Sequence, residues 1–386
     1  MSSYIPLSVP VLKGNEMKYL QECIDSEWVS SAGKYVDLFE KMISKYTGSK
    51  YAIACVNGTS ALQISLQLAG VKPGDEVIVP SLTFIAPVNS IAYNNATPVF
   101  LDSDNFYNLD SDKVISFIKN ETFYKNGFSY NKKTNNKISA ILPVHVWGNA
   151  VWLDEIIKLC REKNITVVED ASESLGTFYS DGKFKGKHTG TIGKLGCISF
   201  NGNKIITSGG GGMILTNFSK LAEKAKYLTT QAKDDPLNYV HDEIGYNFRL
   251  TNIQSAVGVA QLEQLPSILK RKKKIYNFYR KKIADITGFS ICSPPKYANN
   301  NHWLNILKIN RKTINKHLGH LIKKFENNGI QARPVWKLNH MQKPYQKFQN
   351  YKIENSNNLV LDSLCLPSSP NISKRDLEKI INQLYE

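Results

Sequence analysis

The sequence has 386 residues, of which 42% are hydrophobic and 21% are charged. This composition is typical of a globular protein, and the length is sufficient for one large domain and a smaller one. Together they exclude a disordered chain, a collagen-like repeat and a small disulfide scaffold. The net charge of +16 is unevenly distributed. Residues 1–250 carry 26 basic and 25 acidic side chains, whereas residues 251–386 carry 23 and 8. The basic character therefore belongs to the last third of the chain.

Short β-branched runs alternate with helical patterns over the first 250 residues. Strands are predicted at 51–56, 76–80, 97–101, 138–144, 165–169, 196–200 and 212–216. Helices are predicted between them at 35–47, 59–70, 84–94, 110–119 and 151–163. Strands that are apolar on both faces and separated by crossover helices are typical of a mostly parallel sheet covered on both sides. The predicted fold class is therefore α/β.

The sequence also predicts an insertion within the first 250 residues and a second domain after them. Residues 121–137 are polar and rich in Asn and Lys, and we expect a surface insertion there. A long helical pattern covers 251–286, with Pro266 as a candidate bend. Shorter apolar or amphipathic stretches follow at 303–309, 313–328 and 373–385. We expect a large domain over 1–250 and a small α+β domain over 251–386.

The cysteines and the lengths of the apolar runs indicate the cellular compartment of the protein. The six cysteines form no CxxC pair and have no metal-ligand spacing: Cys23, Cys55, Cys160, Cys197, Cys292 and Cys365. The N-terminus has no apolar segment behind a basic start, and the longest apolar runs are far shorter than the roughly 20 residues of a membrane helix. These features predict a reduced cytoplasmic protein with no metal site and no membrane segment.

The residues from 167 to 216 carry the strongest chemical signal. One predicted strand leads to Asp170, which places this side chain at the carboxyl edge of the sheet, where open α/β sheets bind ligands. Another strand precedes Lys204, and the glycine run 209–212 follows it. Alone, such an aspartate is usually a cap and such a lysine a solvated amine. Together they suit pyridoxal phosphate, whose ring nitrogen needs a carboxylate and whose aldehyde needs an amine.

A phosphate site and an aromatic face are also predicted. Residues 57–60, with the sequence NGTS, follow the strand YAIACV and open a helix, where backbone N–H groups can bind a phosphate. The alternative for NGTS is an ordinary helix cap. Phe84 follows the strand EVIVP and is placed either to stack on a flat ring or to pack in the core.

With these motifs, the sequence resembles the DegT/DnrJ/StrS family of sugar aminotransferases, pyridoxal-phosphate enzymes of fold type I (aspartate-aminotransferase-like). The resemblance runs nearly end to end and rests on the segments 26–40, 55–90, 168–179, 199–214 and 245–265. The segments SFNGNKIIT, ARPVWKLNHMQ and LCLPSSPN are most similar to the branch that makes bacillosamine- and legionaminic-type sugars. This branch implies transfer of an amino group from L-glutamate to C4 of a UDP- or GDP-linked 2-acetamido-2,6-dideoxy-4-keto hexose, for surface polysaccharides.

The resemblance assigns roles to individual residues. Lys204 is implied to bond to the cofactor and to move a proton between cofactor and substrate, and Asp170 is implied to pair with the pyridine nitrogen. Glu173 stands where the family usually has Gln or His beside the ring hydroxyl, so its role is open. Further implied cofactor contacts are Gly58, Thr59, Phe84 and Ser199.

A second subunit is implied as well. In the family, the segment corresponding to 245–249 reaches the phosphate of the neighbouring subunit, so Asn247 and Arg249 imply a homodimer with shared active sites. The 28–34 loop matches a region that shapes the nucleotide-sugar pocket. Candidate substrate contacts are His302, Trp303, Arg333 and Trp336, of which the two tryptophans have core packing as an alternative.

Other functions are weighed against this one. A 3-keto sugar aminotransferase of the same family or a non-catalytic cofactor-binding regulator would share the motifs, whereas relatives that become dehydratases replace Lys204 by His. A nicotinamide-dependent oxidoreductase is disfavoured, because GxGxxG is absent and the 209–212 run precedes a strand. Nucleic-acid binding would draw on the basic runs 270–274 and 280–282, but no stacking platform or recognition motif accompanies them.

Overall fold

The computed structural model describes residues 4–235, 237–314 and 318–385. Its helices are α1 (Glu16–Asp25), α2 (Lys34–Thr47), α3 (Gly58–Leu68), α4 (Ile85–Tyr93), α5 (Ser111–Asn120), α6 (Asp154–Glu162), α7 (Ser219–Thr229), α8 (Asn252–Ile283), α9 (Leu318–Asn327), α10 (Asn355–Asp362) and α11 (Lys374–Tyr385). Its strands are β1 (Tyr51–Cys55), β2 (Glu76–Pro80), β3 (Thr97–Leu101), β4 (Thr122–Lys125), β5 (Phe128–Asn131), β6 (Ile138–Ile141), β7 (Thr166–Asp170), β8 (Phe178–Tyr179), β9 (Leu195–Ser199), β10 (Gly212–Thr216), β11 (Phe289–Ile291), β12 (Ala298–Asn299), β13 (Asn305–Ile309), β14 (Arg333–Pro334), β15 (Asn350–Tyr351) and β16 (Ser363–Leu366).

A large sheet organises the N-terminal part of the described chain. Its strand order is β1-β10-β9-β7-β6-β2-β3-β15. Neighbouring strands are parallel from β9 to β15, whereas β10 is antiparallel to both of its neighbours. The inner strands are buried along nearly their whole length, because helices pack on both faces. The predicted α/β fold with a mostly parallel sheet is confirmed.

The C-terminal third contributes strands to three sheets, one of which is the two-stranded sheet of β12 and β8. β11, β13, β16 and β14 form a separate antiparallel sheet, which packs with α9 and α11 around its own apolar core. β15, however, extends the large sheet by pairing with β3. The predicted boundary near residue 250 coincides with the start of α8, and the division into two domains stays a prediction.

Helix α8 connects these parts. It begins at a capping box, in which the side chains of Thr251 and Gln254 each bond the other's backbone N–H. The helix continues through Pro266 to residue 283, close to the predicted end. No helix in the described ranges is both long enough and apolar enough to cross a membrane.

The structure differs from the sequence prediction at several places. The expected surface insertion at 121–137 contains the hairpin β4–β5, whose Asn131 is buried and donates to Glu76 Oε2 at 2.7 Å. Helices α1, α7 and α10 were not predicted, because their buried faces consist of few or small apolar side chains. Part of the amphipathic stretch predicted at 313–328 falls on residues 315–317, outside the described ranges, and α9 covers most of the rest.

Lys272 of α8 is fully buried, which is rare for a lysine. Its Nζ donates to the carbonyl oxygens of Trp303 at 2.8 Å and Ser368 at 2.6 Å. Burial lowers the pKa of Lys272 to about 7. A lysine in an unfolded chain has a pKa of about 10.4. Between these values the unfolded chain binds more protons than the folded one, so the free energy of unfolding rises with pH.

We predict that Lys272→Met removes this pH dependence. From about pH 7 to about pH 9, the free energy of unfolding of the wild type minus that of Lys272→Met should rise, by at most about 1.4 kcal/mol per pH unit. The measurement is urea unfolding of both proteins at several pH values, with Lys270→Met on the exposed face of α8 as a control whose difference from the wild type stays constant. A constant difference for Lys272→Met would contradict the prediction.

Candidate active site

The carboxyl ends of several strands meet at one edge of the large sheet. β2, β6, β7 and β9 are parallel, and β1 runs in the same direction because the antiparallel β10 lies between it and β9. The segments after these strands line a common cavity of about 700 Å³. This volume lies within the range of cofactor and small-molecule sites, and the carboxyl edge is where open α/β sheets bind ligands.

Lys204 lies in this cavity between a carboxylate and an aromatic ring. Its Nζ is 3.3 Å from Glu173 Oε1 and 4.3 Å from the centre of the Trp303 ring. Glu173 Oε2 accepts the backbone N–H of Trp147 at 2.8 Å. Burial raises the pKa of Glu173, and the charge of Lys204 opposes this shift. A single amine is thus held with its charge partly compensated in a mostly buried site.

Asp170 is the last residue of β7 and lines the same cavity. It is 4% exposed, and its Oδ1 accepts the N–H of Ser172 at 2.9 Å. Burial raises the pKa of Asp170, whereas its hydrogen bonds with Ser172 and the charge of Lys204 act in the other direction. A buried carboxylate is stabilised by a cationic partner, so Asp170 suits a protonated ring nitrogen.

The preceding residue, Glu169, is a second buried carboxylate that sequence analysis did not identify. Its oxygens accept His145 Nε2–H at 2.9 Å and three backbone N–H groups at 2.6–2.8 Å, those of Gly190, Ile192 and Gly193. His145 Nδ1 accepts the N–H of Val151, which places the ring proton on Nε2. Burial opposes ionisation, but these bonds hold the pKa of Glu169 below its usual value.

The start of α3 has the geometry that an anion site needs. Asn57 caps the helix, its Oδ1 accepting a backbone N–H at 2.8 Å. The N–H groups of Gly58 and Thr59 have no intrahelical acceptor, as expected for a first turn, and both residues line the cavity. A Cβ on Gly58 would lie 2.9 Å from Ser199 Cβ, and one on Gly212 would lie 2.5 Å from the Asn57 backbone. Glycines therefore allow the backbone segments around the start of α3 to approach one another closely.

An aromatic wall closes one side of the cavity. The Phe84 and Trp336 ring centres are 6.3 Å apart, and Trp336 stacks on Trp147 at 5.0 Å. Trp147 was not among the predicted site residues. The signal for it was available, because it follows the strand predicted at 138–144 and therefore lies at the same edge of the sheet as Asp170.

The structure brings most of the predicted site residues together. Those that line the cavity are Gly58, Thr59, Phe84, Asp170, Glu173, Ser199, Lys204, Trp303, Arg333 and Trp336. His302 does not line it; its ring stacks on Tyr276 with centres 4.4 Å apart. Asn247 and Arg249 also lie outside it, with Arg249 Nε donating to Asn247 Oδ1 at 3.1 Å. The 28–34 loop borders a separate cavity of about 460 Å³.

The residues present fit pyridoxal phosphate. Lys204 offers an amine for the aldehyde, Asp170 a buried carboxyl for the ring nitrogen, and the start of α3 a cradle for the phosphate. An amine beside carboxyl groups in a largely buried cavity can also accept and return protons.

Comparisons with known proteins agree with this fit. The model of the DegT/DnrJ/EryC1/StrS aminotransferase family matches residues 10–385. The GDP-perosamine synthase of Caulobacter vibrioides is 37% identical over 383 residues, covering 98% of this chain and 97% of that protein. The GDP-perosamine synthase of Escherichia coli O157:H7 is 36% identical over 387 residues, covering 99% of each. The crystal structure of a DegT DnrJ EryC1 StrS aminotransferase from Brucella abortus has a TM-score of 0.85 at 26% identity, covering 96% of this chain and 94% of that one. The predicted fold type I is confirmed.

We predict that Glu169→Gln destabilises the protein strongly. The glutamine NH₂ group would face backbone N–H groups that need an acceptor, and a charge-assisted network would be lost. The expected loss in free energy of unfolding is about 3 kcal/mol. Denaturant unfolding measures it, with Glu162→Gln on the exposed surface of α6 as a nearly neutral control. A loss no larger than that of the control would refute the proposed role of Glu169.

Proposed function

Because the chain belongs to the DegT/DnrJ/EryC1/StrS aminotransferase family and is a pyridoxal-phosphate-dependent sugar aminotransferase, we propose that it transfers an amino group from L-glutamate to C4 of a nucleotide-linked 4-keto-6-deoxy hexose. The observation that carries this proposal is the placement of Lys204, Glu173 and Asp170 in one cavity. The product is a 4-amino sugar for the synthesis of surface polysaccharide.

The relatives favour a GDP-linked substrate. Three of them are GDP-perosamine synthases, and perosamine is a 4-amino-4,6-dideoxy sugar. The resemblance to the bacillosamine and legionaminic branch predicts a 2-acetamido sugar linked to UDP or GDP instead, and the names of these relatives do not support that branch. We therefore propose a GDP-linked 4-keto-6-deoxy hexose first and the 2-acetamido sugar second.

Pyridoxal phosphate supplies a reactive aldehyde carbon and an electron-withdrawing ring, which allow an amino group to pass from one substrate to the next. Asp170 holds a proton on the ring nitrogen, since a buried carboxylate favours a cation beside it. The N–H groups of Gly58 and Thr59, with the hydroxyl of Ser199, bind the phosphate. Lys204 Nζ would hold the cofactor through its aldehyde carbon, and as a free amine it would accept a proton from the donor amino acid and return one to the sugar carbon.

Glu173 replaces the Gln or His that the family usually has near the ring hydroxyl. Its Oε2 is fixed by the Trp147 N–H, which leaves Oε1 toward Lys204. Since burial raises the pKa of Glu173, we propose that it carries a proton on Oε1 when no ammonium faces it. In that form it donates to the ring oxygen, as a Gln side chain would.

We predict that Lys204→Ala abolishes turnover while the protein still binds the cofactor. In the wild type, adding L-glutamate should change the absorbance of the bound cofactor. In Lys204→Ala, kcat should fall by at least about a thousand-fold, because the proton-transferring amine is missing. Lys185→Ala, an exposed lysine outside the cavity, serves as the control. Turnover surviving in Lys204→Ala would refute the mechanism, and a wild type that responds to no amino donor would refute transamination.

The substrate is tested by mass detection of products. The holoenzyme and L-glutamate are incubated with GDP-4-keto-6-deoxymannose, with a UDP-linked 2-acetamido-2,6-dideoxy-4-keto hexose, and with a 3-keto isomer. We expect amination of the GDP-linked 4-keto sugar. Preference for the UDP-linked 2-acetamido sugar would favour the second candidate, and preference for the 3-keto sugar would overturn amination at C4.

A homodimer with shared active sites is part of the proposal. Asn247 and Arg249 lie outside the cavity of their own chain, although the adjoining Phe248 carbonyl accepts a hydrogen bond from Val56 near the phosphate cradle. Just before them, Leu237 and Ile244 expose 84% and 85% of their surface. Large exposed apolar side chains mark interaction surfaces, so we propose that this segment contacts a second copy and that Arg249 enters the partner's site.

Two heterodimers test whether the active sites are shared, because shared sites and separate sites predict opposite activities for them. A dimer of one Lys204→Ala chain and one Arg249→Ala chain should recover about half of the wild-type activity, because one site then holds both an intact lysine and an intact arginine. A dimer of one wild-type chain and one chain with both substitutions should be almost inactive. The reverse pattern would show that each site is built from a single chain, and a monomer in light scattering would also overturn the proposal.

A further inference from the structure

A small chamber lies behind the wall of the ligand cavity. Its volume is about 20 Å³, enough for a single water molecule. Trp147 lines both the ligand cavity and this chamber. The chamber is lined on other sides by Asn305 of β13 and by the stacked rings of Tyr276 and His302.

Two polar atoms of its lining residues have no hydrogen-bond partner in the described part of the chain: Trp147 Nε1 and Asn305 Oδ1. Both side chains are only 2% exposed. Leaving such a group unpaired in the interior destabilises the folded protein. The lining of the chamber thus contains one unpaired donor and one unpaired acceptor.

The orientation of the Asn305 amide is fixed by its neighbours. The Ser368 hydroxyl donates to the Leu366 carbonyl at 2.8 Å, so its oxygen is left to accept. It accepts the backbone N–H of Asn305 at 3.1 Å and the side-chain Nδ2–H at 2.9 Å. The free end of the amide is therefore the oxygen, which can only accept a hydrogen bond.

The hydrogen-bonding capacities of Trp147 Nε1 and Asn305 Oδ1 determine which ligand the chamber can bind. The Trp147 indole N–H can only donate, so a cation cannot satisfy it, and an anion cannot donate to Asn305 Oδ1. Water accepts from one and donates to the other, and it has the right size. We propose that this chamber binds one resident water molecule, which accepts from Trp147 Nε1 and donates to Asn305 Oδ1.

No charge in the chamber calls for a counter-ion. Three side chains of its lining can titrate, those of Tyr276, Cys292 and His302. Burial raises the pKa of the Cys292 thiol to about 11, and burial lowers the pKa of His302 to about 4, helped by the charges of Lys273 and Lys272. The imidazole is therefore neutral at pH 7, which agrees with a neutral occupant.

The bound water supports the cavity wall from behind. Trp147 has a left-handed backbone, with φ of 52°, a conformation unfavourable for so large a side chain. The backbone N–H of Trp147 donates to Glu173 Oε2, and its indole ring stacks on Trp336. By anchoring the indole N–H, the water holds the face of Trp147 that lines the ligand cavity.

A high-resolution crystal structure of the holoenzyme tests the site directly. We expect one ordered water peak in every copy, within about 2.7–3.2 Å of both Trp147 Nε1 and Asn305 Oδ1. A chamber without density, or an indole N–H bonded to a protein atom, would overturn the proposal. This readout is independent of turnover, so it is unaffected if the proposed sugar substrate is wrong.

A solution experiment uses the indole N–H signal of Trp147 in ¹⁵N-labelled holoenzyme, assigned as the signal that is lost in Trp147→Phe. Asn305→Leu keeps the side-chain size but removes the acceptor of the water, so the signal should shift. Ile306→Val is the matched control, because it trims an apolar side chain of the same chamber and leaves the Asn305 amide and its Ser368 partner in place; its signal should stay near the wild-type position. Equal shifts in both variants, or none in Asn305→Leu, would contradict a bridging water.

Discussion

Two adjacent carboxylates at the end of β7 set the main physical constraint on this protein. Successive side chains of a strand point to opposite faces, so Glu169 and Asp170 are buried on opposite sides of the sheet. Glu169 is fully paired inside the protein by His145 and backbone N–H groups. Asp170 has the Ser172 N–H as its main partner and lines the cavity. The carboxyl that the fold leaves incompletely paired is the one that suits a cationic ligand.

The C-terminal third completes the cavity through a few long-range hydrogen bonds. Asn301 donates to the carbonyls of Glu173 and Leu175, which ties the segment before β13 to the loop after β7. Asn339 donates to the carbonyls of Ser81 and Thr83, just before Phe84. These bonds bring Trp303 and Trp336 to the cavity, so the site depends on contacts between residues far apart in the chain.

The sequence was sufficient to predict those site residues whose positions depend only on local structure. Asp170 ends a strand, Gly58 and Thr59 open a helix, and Lys204 follows a strand and precedes a glycine run. Each of these positions follows from strand and helix patterns within a few residues, and parallel strands bring their ends to one edge. The α/β fold was predictable for the same reason, since the hydrophobic periodicity is local.

Other features were decided only by tertiary structure. The polar segment 121–137 was predicted as an insertion, but its Asn131 is buried because Glu76, more than fifty residues away, accepts its hydrogen bond. Lys272 belongs to a basic run that indicates a solvated helix face, yet its own position on α8 is buried against two carbonyls. His302 and Trp303 are neighbours in sequence, and only Trp303 lines the cavity. Burial and pairing at such positions depend on which distant segments meet, and a local pattern carries no information about that.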